Sequence, residues 1–464
     1  MANVETARRN AERPKFVTGS LLRHILTMTA AGALGLMAIF VGDLANIYFL
    51  SRLNDEAVVA AVGYASSILF FATSVGIGLS IAATALVSPA LGAGRRIRAR
   101  RLAANAHALA FVASTLIAVV LWLAIVPLLE LLGASGRTLD LAAIYLEILV
   151  PTLPVLALAI TSSAVLRSAG DARRAMFVTL FGAVVNTILD LILIVHFGFG
   201  IEGAAVSSFI ARLTMLAIGF YGVVKVHDLL GRPKIATLAQ DAPAFLRIAA
   251  PAVLTNIAPA IGNGYVTHAI AAYSDAAVAA WAILARLTPV AFGTIYALSG
   301  AVGPILGQNY GARSQERMRD AFTLALLTMA AFTAIAWFFL AVLAQGIATL
   351  FHAEGELRDL IVFFCRWLSP WFVFMGALFV ANAAFNTLGR AHYSTLLNWG
   401  RATLGTVPFV LIGGKYFQAE GVLAGNMIGG VAFGIIAIFS AYRLIATLGD
   451  TFKPQAKVIK SEMT

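Results

Sequence analysis

Two aspartates lie inside long apolar stretches, where a charged side chain is unfavourable. Asp43 is the only Asp, Glu, Lys or Arg residue in the stretch 24–51, and Asp190 is the only one in the stretch 175–201. A charged aspartate deep in a membrane-spanning helix costs at least about 2.5–3.5 kcal/mol, and such residues usually face a bundle interior and handle ions or protons. A buried carboxyl group can exchange a proton for a cation, because burial favours its neutral form and a nearby cation favours its ionised form. The two aspartates therefore predict an ion-driven transporter.

The composition indicates an integral membrane protein. Of the 464 residues, 60% are hydrophobic and 12% are charged, whereas soluble domains carry about 25% charged residues. The net charge of +11 does not indicate a nucleic-acid partner, because the basic residues lie in short segments between apolar runs. The single cysteine, Cys365, excludes an intramolecular disulfide and a cysteine-based metal cluster.

Twelve apolar runs are long enough to cross the roughly 30 Å hydrocarbon core of a bilayer. In the first half they are 24–51, 57–88, 103–132, 141–167, 173–196 and 203–226. In the second half they are 244–272, 276–307, 320–350, 358–387, 392–415 and 420–446. These runs predict an all-α polytopic membrane protein.

The distribution of basic residues predicts its orientation. Most of the 33 Lys and Arg residues lie on the side of the two termini. The opposite side has only Arg52, Arg137, Arg358, Arg366 and Lys415. Cytoplasmic segments of membrane proteins are enriched in Lys and Arg. Both termini are therefore predicted to be cytoplasmic, which agrees with an even number of spans.

The two halves of the chain resemble each other. PALGAGR from Pro89 pairs with GQNYGAR from Gly307, and LRSAGDARRA from Leu166 pairs with FNTLGRAHYS from Phe385. Because each half has an even number of spans, the two repeats share one orientation, as in other transporters built from parallel repeats. We expect two six-helix lobes around a central cleft. The predicted organisation is an N-lobe (1–226), a linker (227–242) and a C-lobe (243–464).

These features resemble the multidrug and toxic compound extrusion (MATE) family of the multidrug/oligosaccharidyl-lipid/polysaccharide (MOP) superfamily. The resemblance rests on the two sets of six spans, LGAGR after the second span, GQNYGAR after the eighth, the acid in the first span and Asn-x-x-x-Asp in the fifth. In bacterial members, Na⁺ or H⁺ binds in the N-lobe at residues of spans one, five and six. The resemblance implies a coupling site of Asp43, Asn186, Asp190, Ala204 and Ser208. Of these, Asp43, Asn186, Asp190 and Ser208 would be ligands of Na⁺, and no cofactor other than the coupling ion is implied.

The second repeat lacks the acids of the first. The positions equivalent to Asp43, Asn186 and Asp190 hold Asn263, Gly405 and Phe409. We therefore predict that the coupling site lies in the N-lobe alone, which resembles the DinF-like pattern of the family.

Arginines and aromatic residues within spans suggest how a substrate could be bound. Arg212, Arg286 and Arg401 each lie about ten residues into a span, where a cation must face protein, a carbonyl group or a wet cavity. They could fix helix ends, pair with the two aspartates or bind an anionic substrate. Aromatic side chains in the cleft would stack on flat cationic drugs. The candidate cavity residues are Tyr265, Phe292, Tyr296, Trp399 and Arg286.

The predicted function is secondary active antiport. H⁺ or Na⁺ entering through the N-lobe would drive export of an amphipathic, cationic organic compound across the cytoplasmic (inner) membrane of a prokaryote. The predicted partners are this small molecule and the lipid bilayer, and the predicted assembly is a monomer. One alternative is a lipid-linked oligosaccharide flippase, favoured if the three arginines face the cleft. Another is an intramembrane enzyme, which the absence of a catalytic dyad and of a sizeable soluble domain disfavours.

Overall fold

The computed structural model describes residues 14–51 and 55–452, and within those ranges the chain forms helices and no β-strand. Residues 1–13, Arg52 and the tail from Lys453, whose charges contribute to the predicted orientation, lie outside the described residues.

Twelve long helical segments follow one another. The first six are α1 (Leu21–Ser51), α2 (Glu56–Gly92), α3 (Arg96–Leu123), α4 (Gly136–Ser168), α5 (Ala172–His196) and α6 (Gly200–Val226). The second six are α7 (Ile235–Ile270), α8 (Asp275–Ala291 and Gly293–Gly311), α9 (Gln315–Leu350), α10 (Gly355–Thr387), α11 (391–416) and α12 (419–450). A short helix, Ile125–Leu131, follows α3.

The last two segments form a hairpin, although the helical assignment runs continuously through 60 residues. A straight helix of that length would measure about 90 Å, roughly three times the hydrocarbon thickness of a bilayer. Phe417 and Gln418 leave the helical conformation, with a φ of 53° at Gln418. The chain reverses there, and Gly413 and Gly421 face each other at backbone contact distance. Counting this hairpin as two spans and the bent α8 as one gives the twelve predicted spans.

Proline residues break the equivalent helices of the two repeats at the same place. In α4 a 3₁₀ turn spans Val150–Thr152, and in α10 another spans Ser369–Trp371. Pro151 and Pro370 lack the backbone N–H that would continue the α-helical hydrogen bonds. The shared break indicates that the two halves fold alike.

Both ends of the described chain lie at the same end of the bundle, which we call the terminal face. The Phe16 N–H donates to the Gln308 side chain over 2.8 Å. Near the other end, the ring of Phe452 lies 5.9 Å from that of Tyr310, which is also in α8. This arrangement agrees with an even number of membrane crossings.

The two lobes are joined tightly at the terminal face. Besides accepting from Phe16, the Gln308 amide donates to the Ser168 carbonyl oxygen over 2.7 Å. The backbones of α2 and α8 are almost in contact there, since a Cβ on Gly311 would lie 1.9 Å from the Pro89 carbonyl oxygen. Helices can approach this closely only where no side chain intervenes. The cleft between the lobes is therefore closed at this end.

The non-helical link between the lobes is shorter than the predicted segment 227–242, because α7 begins at Ile235. The first turns of α7 are held against the N-lobe by Asp241. Its carboxylate accepts a hydrogen bond from Arg101 over 3.0 Å and another from Asn105 over 2.7 Å. These contacts stabilise the helical conformation of residues 235–242, which the sequence analysis assigned to the linker.

Candidate ion-coupling site and central cavity

Asp190 lies at the centre of a polar cluster that joins three helices of the N-lobe. Its side chain is fully buried. One carboxylate oxygen accepts hydrogen bonds from Asn46 of α1 over 2.9 Å and from Asn186 of its own helix over 2.8 Å. The other oxygen accepts a short hydrogen bond from the Ser207 hydroxyl of α6. Three neutral donors thus surround a carboxylate that has no cationic partner among the described residues.

Local helix geometry explains why these groups meet. Asn186 and Asp190 are four residues apart and share one face of α5. The regular α-helix ends at Asp190, and a π-helical turn, Leu191–His196, follows. Such π-turns occur frequently at functional sites. The short connection to α6 then returns the chain antiparallel, which brings Ser207 level with Asp190.

Asp43 takes a different position from Asp190. Its side chain is exposed and makes no hydrogen bond to a described residue. It lies seven residues after Leu36, which lines the central cavity, and therefore on the same face of α1 about 10 Å further along the helix axis. Asn46 follows Asp43 by three residues and connects this face to Asp190.

Neither of the two predicted residues of α6, Ala204 and Ser208, hydrogen-bonds to Asp190. Ser207, and not Ser208, donates to Asp190, while Ser208 lies beside the phenol of Tyr145. The Ala204 carbonyl oxygen accepts from the Ser207 hydroxyl over 3.1 Å. Sequence reasoning assigned Ser208 through the resemblance, and it missed Ser207 and Asn46. A weak signal for Asn46 was present, since it is an amide in the same apolar run as Asp43.

Arg212 lies on the same helix as Ser207 but does not pair with either aspartate. Its guanidinium donates to the Leu149 carbonyl oxygen over 3.0 Å and to the Thr152 hydroxyl. Both acceptors lie at the break in α4, and one of them is a backbone carbonyl group at the end of its first part. Of the roles considered for this arginine, fixing a helix end matches its contacts.

The donor set around Asp190 suits a proton or a hard cation. Carboxylate, amide and hydroxyl oxygens are the ligands that such cations prefer over soft metals. Within the described ranges, no group of three or more His, Cys, Asp or Glu side chains is placed to hold a metal ion. A cation bound near Asp190 would therefore depend on amide and hydroxyl oxygens as well as on carboxylates.

A cavity of about 650 Å³ lies between the lobes. Thr84 of α2, Gly303 of α8 and Thr387 of α10 line its end nearest the terminal face. They lie about one turn from Ser88 and Gly307, where the two lobes touch. The cavity is therefore bounded by the closed end of the cleft. Its volume is in the usual range for a pocket that binds a drug-sized molecule.

Comparison with known proteins identifies the family. A family model described as MatE matches residues 32–192 and again residues 251–412. The chain belongs to this family. The two matches cover equivalent parts of the two repeats. The protein is thus a MATE transporter of the MOP superfamily. It is an integral membrane protein with many helical spans. Members of this family are transporters and not enzymes.

Named relatives cover nearly the full length of this MATE transporter. It is 27% identical to a Shewanella oneidensis protein named FAD transporter in an alignment 452 residues long, which covers 95% of this chain and 99% of the relative. It is 23% identical to the multidrug export protein MepA of Staphylococcus haemolyticus, over 92% and 95% of the two chains. A crystal structure of a mutant of the Vibrio cholerae MATE transporter VcmN matches with a TM-score of 0.88 at 25% identity, over 93% and 98% of the chains.

Of the aromatic residues predicted to line the cavity of this MATE transporter, one lines it and three do not. Tyr296 lines the cavity. Phe292 is fully buried and stacks on Phe372 with ring centroids 4.0 Å apart. Tyr265 packs against the C-lobe core, and the Trp399 indole donates to a backbone carbonyl of α7, so both lie outside the lining. Spacing along a helix does not distinguish its core-facing side from its cleft-facing side when both are apolar.

Two arginines line the cavity of this transporter. Arg401, in the π-turn Arg401–Gly405 of α11, faces it, whereas Arg286 is exposed and outside the lining. The second is Arg167, at the end of α4. Six asparagines also line the cavity, whereas its described lining contains no Asp or Glu. The asparagines are Asn256, Asn263, Asn382, Asn386, Asn398 and Asn426.

Proposed function

We propose that this MATE transporter is a secondary active antiporter, in which H⁺ or Na⁺ entering through the N-lobe drives export of an organic compound. The observation that carries the proposal is the environment of Asp190. A fully buried carboxylate with three neutral donors and no described cationic partner is costly when ionised. Protonation or a bound cation removes that cost, so the cluster has two states that an ion gradient can bias.

The cluster is connected to the cleft through α1. Asn46 ties α1 to Asp190, and about four turns away Gly32 of the same helix packs on Ala297 of α8 in the other lobe. A Cβ on Gly32 would lie 3.3 Å from the Ala297 Cβ, so the two helices are in close contact. Rearranging the Asp190 hydrogen bonds would therefore shift a helix that forms part of the lobe interface. This connection supports alternating access by rocking of the two lobes.

The orientation follows the distribution of basic residues. We place the terminal face in the cytoplasm and the protein in the cytoplasmic membrane of a prokaryote, because loops rich in Lys and Arg remain cytoplasmic. Arg95, in the loop between α2 and α3, and Arg96 and Arg98, in the first turn of α3, are exposed at this face. In this orientation, the closed terminal face corresponds to a state that releases substrate to the outside.

The charge of the cavity favours a different substrate from the expected cationic drug. Two arginines and no described acid line it, so an organic anion or a polar neutral compound fits better than a cation. The relative named FAD transporter is consistent with such a substrate. Of the three arginines that would support a flippase, only Arg401 lines the cavity. This reduces the support for the flippase alternative.

The proposal is tested with purified protein in proteoliposomes, under separately imposed H⁺ and Na⁺ gradients, with FAD and ethidium as transported probes. We expect one of the two gradients to drive transport of at least one probe. Asp190→Asn should abolish this gradient-driven transport but still allow probe exchange when the probe concentration is equal on both sides of the membrane. Asp140→Asn, at an exposed position of α4, is the matched control. Full gradient-driven transport by Asp190→Asn at normal reconstitution would contradict the proposal.

A further inference from the structure

Arg401 is a buried cation without a partner. Its side chain is 6% exposed, and its Nε is buried without a hydrogen-bond acceptor. It donates no side-chain hydrogen bond to a described residue and forms no ion pair with one. Burying a guanidinium in this way is unfavourable for folding, because no side chain of the described residues replaces the hydration that its Nε loses. An unpaired buried charge in a transporter cleft is therefore a candidate for ligand binding.

Amide groups that line the same cavity as Arg401 can also bind an anion. Asn386, which is 5% exposed, has a buried amide oxygen without a donor. Its amide could rotate so that the NH₂ group faces the cavity, because the two ends of the amide are exchangeable donors and acceptors. Asn398, three residues before Arg401, donates to Asn382 over 3.0 Å, so these two amides are held as a pair. The C-lobe part of the cavity lining therefore offers amide groups and a cation, with no described carboxylate to compete.

Arg167 adds a second positive charge at the end of the cavity nearest the closed terminal face. It donates to the Ser163 hydroxyl over 2.8 Å and lines the cavity. In the repeat it is equivalent to Asn386, so the two lobes present a cation and an amide at corresponding positions of the same end. The positive charge of the cavity thus comes from both lobes.

One wall of the cavity is aromatic and rigid. The ring of Tyr296 lies 5.2 Å from that of Phe379, and Phe372 is held by stacking on the buried Phe292 at 4.0 Å. Tyr296, Phe372 and Phe379 all line the cavity. Fixed aromatic rings beside a cation favour a ligand that has both a flat ring system and a negative group.

We propose that this cavity binds a planar aromatic organic anion, with its phosphate or carboxylate group at Arg401 and its ring against Tyr296 and Phe379. The proposal names the substrate class of the transporter, and so its meaning for transport rests on the proposed function. Binding itself requires no gradient and no ion coupling. Arg401 is the specificity-determining residue, since it has no structural partner to hold.

The test compares two probes that share a ring system and differ in charge. FMN and riboflavin are titrated against the purified protein by flavin fluorescence, with ethidium as a flat cation. A charge-assisted hydrogen bond to phosphate predicts roughly tenfold or greater preference for FMN over riboflavin. Arg401→Gln should reduce this preference to about one, and Arg401→Lys should retain part of it. Arg443→Gln, at an exposed position of α12 in the same lobe, should leave it unchanged.

A stability measurement separates a binding role from a structural one. If Arg401 awaits a ligand, Arg401→Gln keeps or raises the thermal midpoint without probe, because a buried unpaired charge is removed. A clear loss of stability in Arg401→Gln would contradict the proposal. Equal or tighter binding of riboflavin or ethidium than of FMN, or an FMN preference that survives Arg401→Gln, would also overturn it.

Competition distinguishes two sources of the anion. AMP in solution and a polyprenyl pyrophosphate in nanodiscs are each added to the FMN complex. Displacement by AMP assigns the site to soluble phosphorylated compounds, whereas displacement by the lipid alone assigns it to lipid-linked pyrophosphates. Displacement by neither contradicts an anion site. Gradient-driven transport of ethidium without FMN binding would contradict the anion site and support the antiport proposal. FMN binding without any gradient-driven transport would support the anion site and contradict the antiport proposal.

Discussion

Asp190 and Phe409 hold equivalent positions in the two repeats, and each meets the following helix at an equivalent residue. Asp190 accepts a hydrogen bond from Ser207. In the C-lobe the counterpart of Ser207 is Gly425, and a Cβ there would lie 2.3 Å from the Phe409 carbonyl oxygen. The hairpin has therefore kept its register, while a polar contact in one lobe is replaced by backbone packing in the other. This difference supports the proposal that the coupling site lies in the N-lobe alone.

The first prediction concerns Asn46. In the C-lobe its equivalent is the fully buried Val266, so Asn46→Val makes the N-lobe more like its copy. We expect gradient-driven export to fall about tenfold, because Asp190 loses one of its donors and a hydrogen bond to a charged group contributes about 1.5–3 kcal/mol. Transport in proteoliposomes measures the effect. Thr187→Ala, which removes a hydroxyl bonded only within α5, is the control and should retain export. Unchanged export in Asn46→Val would show that α1 is not linked to the switch.

The second prediction concerns the seal at the terminal face. Gln308→Ala removes both hydrogen bonds that join Phe16 and Ser168 through its side chain. Each net buried hydrogen bond contributes about 1 kcal/mol, so we expect the state open at the terminal face to become several-fold more populated. A maleimide should then react faster with a cysteine introduced at Ser88. The natural Cys365 is buried and gives little background.

Gln345→Ala is the control for the seal, because Gln345 binds Arg358 within the C-lobe, away from the lobe interface. Its labelling rate at position 88 should match that of the parent protein. If Gln308→Ala also labelled at the parent rate, Gln308 would not contribute to closing the cleft.

The third prediction concerns the α11–α12 hairpin. A Cβ on Gly429 would lie 1.3 Å from the Gly405 carbonyl oxygen, so Gly429→Ala must push the two helices apart. We expect a loss of stability of about 1–3 kcal/mol, the usual cost of overpacking, seen as a lower thermal midpoint in detergent. Gly346→Ala is the matched control, since nothing lies within 4 Å of its Cβ position. That substitution in α9 should be neutral or slightly stabilising. Equal midpoints for the two variants would refute the close approach.

The fourth prediction concerns pH and Asp171, which lies outside the membrane-spanning segments. Burial by itself raises the pKa of Asp171, but hydrogen bonds from His227 and Arg174 outweigh it and hold that pKa well below its usual range. Because the pKa is lowered, the ionised carboxylate stabilises the fold fully above the unfolded-state pKa of about 4. This contribution is lost progressively as the pH falls from that value towards the lower pKa of the folded state. Asp171→Asn retains an N-cap residue for α5 and removes the charge.

We therefore expect the parent protein to have a higher thermal midpoint than Asp171→Asn at pH 7, with the difference shrinking progressively below about pH 4. Midpoints measured from pH 7 to pH 3 check this. The exposed Asp140→Asn should show no such pH-dependent difference. A difference that stays constant down to pH 3 would mean that the ionised form of Asp171 is not what stabilises the contact with His227.

The sequence alone was enough to predict the class of fold and the internal repeat, and to single out Asp43 and Asp190 as candidate functional residues. The isolation of Asp43 and Asp190 in apolar runs is a local property, and crossing a bilayer requires helices whose lengths are read from those runs. The spacing of Asn186 and Asp190 also places both on one face of α5 without any tertiary information. For the same reason the helical hairpin of the last two spans was found, although its helical assignment is continuous.

Only the tertiary structure decided which polar groups meet. Ser207 and Ser208 are neighbours in sequence but point about 100° apart on α6, and the crossing with α5 selects Ser207 for Asp190. Arg212, Arg286 and Arg401 look alike as cations in apolar spans, yet one caps a broken helix, one is exposed and one faces the cavity. In a membrane protein both the lipid-facing and the core-facing sides of a helix are apolar, so periodicity does not show which side faces the cleft. The packing of the two lobes settles that, and with it the charge of the cavity.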